Sequence, residues 1–107
     1  MKEVSLQQVQ DLRALLKLLS PRQRTHFLKT LTKDEMRVLE VACINLATNN
    51  KGITAKQIAL LKRFRRQVEI VASRSYKLSD KRRVTQKGGF IPAILPVLGT
   101  LVSAFLG

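Results

Sequence analysis

Apolar residues recur at helical spacing through the first 74 residues and predict four amphipathic α-helices. The first helix covers about 5–19, and its apolar positions are Val4, Val9, Leu12, Leu15, Leu16 and Leu19. The second, over about 21–30, contributes Phe27, Leu28 and Leu31. The third runs to about Ala47 with Met36, Leu39, Cys43 and Leu46 on one side. The pattern indicates an all-α fold, a small bundle of about four helices.

Local signals predict where these helices begin. Ser20 before Pro21 is typical of an N-cap followed by proline at the first helical position. Thr32 and Glu35 match the T-x-x-E capping box, in which each side chain satisfies a backbone donor of the new helix. The run 49–52, Asn-Asn-Lys-Gly, is a loop by composition, and Thr54 is the expected cap of a fourth helix over about 55–74.

The fourth helix has the clearest division into two faces. Its apolar side carries Ile58, Leu60, Leu61, Phe64, Val68, Val71 and Ala72. The opposite side carries Lys56, Lys62, Arg63, Arg66 and Arg74. Solvent-facing helices usually interleave acids and bases for local pairing, and here only Glu69 does so. The one-sided charge favours a contact surface for a polyanion, with an ordinary solvated face as the alternative.

The last third of the chain consists of a basic stretch followed by an uncharged apolar segment. Residues 75–89 form a basic stretch ending in Gly-Gly, which predicts a flexible linker with a short helix after Ser79.

Residues 90–107 form an apolar tail without charge, in which Pro92 and Pro96 argue against a straight helix. The tail is near the lower limit for crossing a bilayer, so we expect shallow membrane insertion, self-association or removal. A core helix or strand of the same domain is a further alternative. The tail residues assigned to membrane contact or self-association are Phe90, Ile91, Ile94, Leu95, Val97, Leu98, Leu101, Val102, Phe105 and Leu106.

Charge narrows the choice of partner. The 107 residues include 20 Lys and Arg against 7 Asp and Glu, a formal net charge of +13. Residues 62–87 alone hold ten basic and two acidic side chains. An excess of this size implies an acidic partner, either nucleic acid or an anionic membrane surface.

Catalytic chemistry has little support in the sequence. The one histidine, His26, lies near the start of a short helix, and the one cysteine, Cys43, lies in an apolar helical pattern typical of a buried thiol. The chain carries no phosphate-binding glycine loop and no metal-ligand cluster. We therefore expect neither an enzyme nor a cofactor. Glu3 and Asp11 interrupt the apolar core that a signal peptide needs, which predicts a protein that is intracellular when made.

The segment 87–98, Lys-Gly-Gly-Phe-Ile-Pro-Ala-Ile-Leu-Pro-Val-Leu, resembles the end of adenovirus core protein X, the precursor of the DNA-condensing peptide mu. In that family a basic stretch ends in Gly-Gly and an apolar, proline-containing segment follows. The chain as a whole is similar to the X-like proteins of adintoviruses and other Polinton-type elements, which combine a small helical region, a basic linker and such a tail.

The resemblance implies a virion core protein that binds packaged double-stranded DNA, the viral genome. It also implies contact with capsid proteins and cleavage by an adenovirus-type cysteine protease at Gln86-Lys87-Gly88-Gly89, before Phe90. A plain flexible hinge is the alternative role for the two glycines. The location implied is the virion, with the host nucleus or cytoplasm during assembly.

The main hypothesis is sequence-independent DNA binding through phosphates. The candidate contact residues are Lys62, Arg63, Arg66, Arg74, Lys77, Lys81, Arg82, Arg83 and Lys87. A sequence-specific helix–turn–helix with the fourth helix as reader is a second hypothesis, although its loop of about 48–53 is longer than usual and the helix lacks a set of Asn and Gln to read bases. A third is membrane action, with the basic residues on anionic headgroups and the tail inserted or permeabilising.

Overall fold

A computed structural model describes residues 4–48 and 54–106, apart from the side chains of residues 47, 48, 60 and 103–106. The regular structure in these ranges is entirely helical, which confirms the all-α class. The helices are α1 Leu6–Leu18, α2 Pro21–Lys29, α3 Lys33–Thr48, α4 Ala55–Leu61, α5 Arg65–Ala72, α6 Leu78–Thr85 and α7 Phe90–Leu106, with a 3₁₀ turn at Lys62–Phe64. The described ranges thus hold more helices than the four predicted.

The first four helices begin with the same device, a reciprocal capping box. In each, a Ser or Thr hydroxyl accepts the backbone N–H three residues on, and a Gln or Glu there accepts the N–H of the cap residue. The pairs are Ser5–Gln8, Ser20–Gln23, Thr32–Glu35 and Thr54–Gln57. The predicted caps at Ser20, Thr32 and Thr54 are confirmed, and the loop predicted over 49–52 lies outside the described residues.

The predicted fourth helix is two α-helices with the 3₁₀ turn between them. Its apolar face is buried as predicted at Leu61, Val68 and Val71, with Phe64 half-buried. The ring of Phe64 packs edge-on against Phe90, with centroids 6.0 Å apart. The turn therefore supplies an aromatic contact between this segment and the C-terminal helix.

The apolar C-terminal segment is a central helix of the fold. Helix α7 packs against α1, α3 and α4, and Phe90, Ile94, Val97 and Leu98 are fully buried among them. This arrangement differs from the predicted separate tail. It agrees with the alternative, a core helix of the same domain. Pro92 lies in the first turn, where its missing N–H has no intrahelical partner in any case, and Pro96 removes only one interior hydrogen bond.

The predicted flexible linker is also largely ordered. Within it, α6 packs against α2, α3 and α5. One side of α6 consists of half-buried Leu78, buried Lys81 and buried Thr85, spaced as a helical face requires. Periodicity in apolar residues missed this face because the lysine contributes its methylene stem rather than an apolar side chain.

The turn between α6 and α7 depends on Gly89. Its φ is +87°, and a Cβ there would lie 3.1 Å from Cζ of Phe64. We expect Gly89→Ala to lower the free energy of unfolding by about 1–3 kcal/mol, because it adds left-handed strain and crowds the Phe64 ring. Chemical denaturation measures the change.

Gly88→Ala is the matched control for this prediction. A Cβ at Gly88 would meet nothing within 4 Å, so we expect stability within about 0.5 kcal/mol of the original chain. Equal effects of the two substitutions would contradict the role given to Gly89.

Candidate nucleic-acid interface

Helices α5 and α6 form an antiparallel hairpin. They pack against each other and are joined by residues 73–77. At the opposite end, Phe64 precedes α5 and lies against Gly89, which follows α6. Because α5 has eight residues, the two ends of the hairpin are separated by about 12 Å.

Exposed basic side chains lie at both ends of this hairpin and along both of its helices. Lys62, Arg63 and Lys87 lie at the Phe64–Gly89 end, and Arg74 and Lys77 lie in the connecting loop. Arg65, Arg66 and Arg83 lie along the two helices, with exposed side-chain fractions of 83%, 69% and 79%. We call these eight residues the cationic hairpin. Duplex DNA carries about one charge per 1.7 Å of its axis, so a surface about 12 Å long faces several phosphates.

The few acidic side chains on this surface form only weak, exposed ion pairs. Glu69 accepts from Arg65 at 3.3 Å and lies 3.8 Å from Arg66, while Asp80 lies 3.9 Å from Arg83. Exposed pairs of this kind contribute about 0–1 kcal/mol, so a phosphate can replace them at little cost. The side chains of Lys62, Arg63, Arg74, Lys77 and Lys87 form no hydrogen bond or ion pair within the described part of the chain.

Seven of the nine side chains predicted to contact DNA are exposed on the hairpin, and the other two are buried or half-buried. Lys81 is only 4% exposed, and half-buried Arg82 donates its Nε to the Leu31 carbonyl at 2.8 Å. These two side chains hold α6 in place rather than facing solvent. The sequence analysis did not include Arg65 because it assumed one continuous α-helix with about 100° per residue. The 3₁₀ turn advances about 120° per residue, so its three residues rotate the following helix by about 60° relative to that assumption.

Lys81 belongs to a charged cluster between α6 and α3. Its Nζ forms an ion pair with Glu40, whose other carboxylate oxygen lies 3.3 Å from Arg37. Glu40 is 19% exposed, so the cluster is largely shielded from water. Removing one partner from such a pair leaves a buried charge poorly compensated.

We expect Lys81→Met to lower the free energy of unfolding by about 2 kcal/mol, since Glu40 keeps only Arg37 as a partner. Thermal and denaturant unfolding give the value. The double variant Lys81→Met/Glu40→Leu should recover most of the loss, because both charges are then removed together. Arg83→Met, at an exposed position of the same helix, is the control and should change stability by less than about 0.5 kcal/mol. A stable Lys81→Met protein would show that the ion pair does not anchor α6.

The candidate cleavage site lies in the turn that links α6 to α7. The N–H of Phe90 donates to the Lys87 carbonyl at 3.1 Å, and the N–H of Ala93 donates to the Gly89 carbonyl at 3.1 Å. Gln86 is half-buried, Lys87 and Gly88 are exposed, and Phe90 is fully buried. The segment is therefore a closed turn rather than an extended strand, and cutting before Phe90 requires this turn to open.

The residues assigned to membrane contact lie mainly in the core. Phe90, Ile91, Ile94, Val97, Leu98 and Leu101 are buried, and Leu95 and Val102 pack against them half-buried. The side chains of Phe105 and Leu106 lie outside the described set. No helix in the described ranges has both the length and the hydropathy needed to cross a bilayer.

The remaining reactive groups are not part of the cationic hairpin. Cys43 is fully buried in α3, and burial raises the pKa of its thiol to about 12. His26 is exposed on α2. Among the described residues, no three His, Cys, Asp or Glu side chains are grouped as metal ligands.

Comparison with protein-family models, with curated proteins and with solved structures found no significant match to this chain.

Proposed function

We propose that this protein binds double-stranded DNA independently of sequence, through phosphate contacts made by the cationic hairpin. The observation that carries the proposal is the placement of eight exposed basic side chains on one two-helix unit, of which five have no partner among the described residues. Lysine and arginine contacts to phosphate neutralise the backbone and release its condensed counterions.

The resemblance to adenovirus core protein X extends the proposal to a role in the virion, where such a protein would neutralise packaged DNA. A net charge of +13 on 107 residues suits that role. In this chain the residues that carry the resemblance also form the α6–α7 turn and the core helix. The proposal therefore places DNA on the hairpin and gives α7 the task of supporting it.

Support for phosphate contact also comes from how the hairpin is held. The Lys81–Glu40 pair fixes α6 to α3, and the Arg82 hydrogen bond fixes it to Leu31, between α2 and α3. Basic side chains on a fixed surface lose less entropy on binding than those of a flexible linker. A fixed array also sets how many phosphates one molecule contacts.

Salt dependence tests the proposal directly. With five to seven phosphates neutralised, log affinity for a duplex should fall against log salt with a slope of about −5 to −6. Fluorescence anisotropy with a labelled duplex at several salt concentrations gives the slope. Binding that barely changes between low and moderate salt would rule out the mechanism.

Competition with unrelated duplexes tests sequence independence. We expect random sequences to displace the labelled duplex with equal efficiency, because phosphate contacts carry no base information. A strong preference for one sequence would favour the helix–turn–helix hypothesis instead. That hypothesis needs a reading helix in the major groove, and the fourth predicted helix is here interrupted by the 3₁₀ turn.

A further inference from the structure

A groove of about 670 Å³ lies beside the cationic hairpin, between α3, the loop 73–77 and the start of α6. Its volume is within the range of small-ligand sites. Its lining includes Lys33, Asp34, Glu40, Arg74, Tyr76 and Leu78. The groove combines apolar, aromatic and charged groups. Among them, Arg74 belongs to the cationic hairpin, and Arg37, Glu40 and Lys81 form the charged cluster that holds α6.

The lining of the groove includes one aromatic ring and several apolar side chains. Tyr76 lines the groove half-buried, and its hydroxyl accepts a hydrogen bond from Arg66 at 3.1 Å. This bond ties the loop to α5 and limits rotation of the ring. Half-buried Ala72 and Leu78 add apolar surface to the same groove. A planar aromatic ligand can stack on such a surface.

Some charged residues of the groove already have ion-pair partners, and others are available to bind a ligand. Glu40 is already engaged by Lys81 and Arg37. Lys33 and Arg74 are exposed and have no ion pair within the described residues. Asp34, also exposed, is the one acid left to oppose an anion there. Two available cations against one acid favour a small anionic group.

We propose that this groove binds a nucleoside monophosphate unit, with the base against Tyr76 and the apolar surface and the phosphate on Lys33 and Arg74. The unit is either a free nucleotide or the terminal nucleotide of a nucleic-acid strand. The inference does not depend on duplex binding, because Lys33, Asp34 and Tyr76 lie outside the cationic hairpin. Only Arg74 is shared by the two surfaces.

Titration of the full chain with adenosine 5′-monophosphate, followed by amide NMR shifts, tests the inference. We expect shifts confined to the start of α3, the loop 73–77 and the start of α6. Adenosine alone and inorganic phosphate alone should each bind at least tenfold more weakly, because each makes only half of the contacts. Equal binding of phosphate and the nucleotide would overturn the inference, and so would shifts located elsewhere.

Three substitutions make the test specific. We expect Tyr76→Ala to weaken nucleotide binding by about 5- to 100-fold and Lys33→Gln to weaken it by about fivefold. Asp34→Asn should strengthen it by about twofold or more, because it removes a like charge near the phosphate. Lys29→Gln, an exposed change outside the groove, is the control. Unchanged affinity in the three variants would overturn the inference.

Two further experiments identify the source of the ligand and distinguish this site from the surface that binds duplex DNA. A short 5′-phosphorylated single strand that displaces the mononucleotide assigns the groove to strand ends, and failure to displace it assigns the groove to free nucleotides. Lys62→Gln/Lys87→Gln should weaken duplex binding and leave mononucleotide binding unchanged. Loss of both activities in that variant would contradict a separate groove.

Discussion

Removal of residues 90–107 is expected to abolish cooperative folding of the remaining chain. Helix α7 buries Phe90, Ile91, Ile94, Val97 and Leu98 against the other helices. Complete burial of each such side chain contributes about 1.5–3 kcal/mol. Together these five contributions are comparable to the whole stability of a typical domain, about 5–15 kcal/mol. The truncated chain should show no cooperative melting transition by circular dichroism.

Point substitutions within α7 test the same claim without removing a helix. Leu98 is fully buried, so we expect Leu98→Ala to lower the free energy of unfolding by about 2–5 kcal/mol. Leu18 is 82% exposed, and Leu18→Ala, the same chemical change, should cost less than about 0.5 kcal/mol. A truncated protein that melts cooperatively at the original temperature would contradict the position of α7 in the core.

This result also bears on how DNA binding can be measured. A chain without α7 that fails to bind DNA would have lost its fold, so truncation does not report on the phosphate contacts. Charge substitutions on the exposed surface are the appropriate test, because they leave the core unchanged. The sequence alone predicted a separate tail, and removal of a separate tail would leave the basic region folded.

Neutralising three residues of the cationic hairpin should weaken duplex binding on the order of 100-fold at 0.1 M salt. Lys62, Arg63 and Lys87 are exposed, lie at the same end of the hairpin and have no partners within the described residues. Changing all three to glutamine should also make the salt slope shallower by about 2.5–3, since each lost phosphate contact removes about 0.9. Anisotropy titrations over a range of salt concentrations measure both effects.

The control removes the same charge from residues outside the cationic hairpin. Lys17, Arg22 and Lys29 are exposed on α1 and α2 and are not among its eight residues. Their replacement by glutamine also removes two lysines and one arginine, and we expect the salt slope to stay within about 0.5 of the original. Equal losses in the two triple variants would mean that net charge, rather than the cationic hairpin, determines binding.

Much of the candidate interface could be predicted because amphipathic periodicity separates faces without knowledge of the fold. The basic face of the fourth predicted helix led to Lys62, Arg63, Arg66 and Arg74, all of which are exposed. The same reasoning failed for Lys81, whose stem is buried while its amine meets Glu40, 41 positions earlier in the chain. A partner so distant in sequence leaves no local signal.

Local chemistry alone determined where the early helices begin. A capping box needs only two side chains three residues apart, so Thr32 with Glu35 could be recognised without any tertiary contact. The excess of positive charge and the two faces of the fourth predicted helix were also readable directly from the sequence.

Only the tertiary structure decided the place of residues 90–106. An apolar segment has the same local pattern whether it faces lipid, another molecule or its own domain, because the hydrophobic effect is non-directional. Its burial depends on whether other helices present matching apolar faces, and here α1, α3 and α4 do. The order of α6 was decided in the same way, by a lysine stem and an ion pair that exist only once α3 lies beside it.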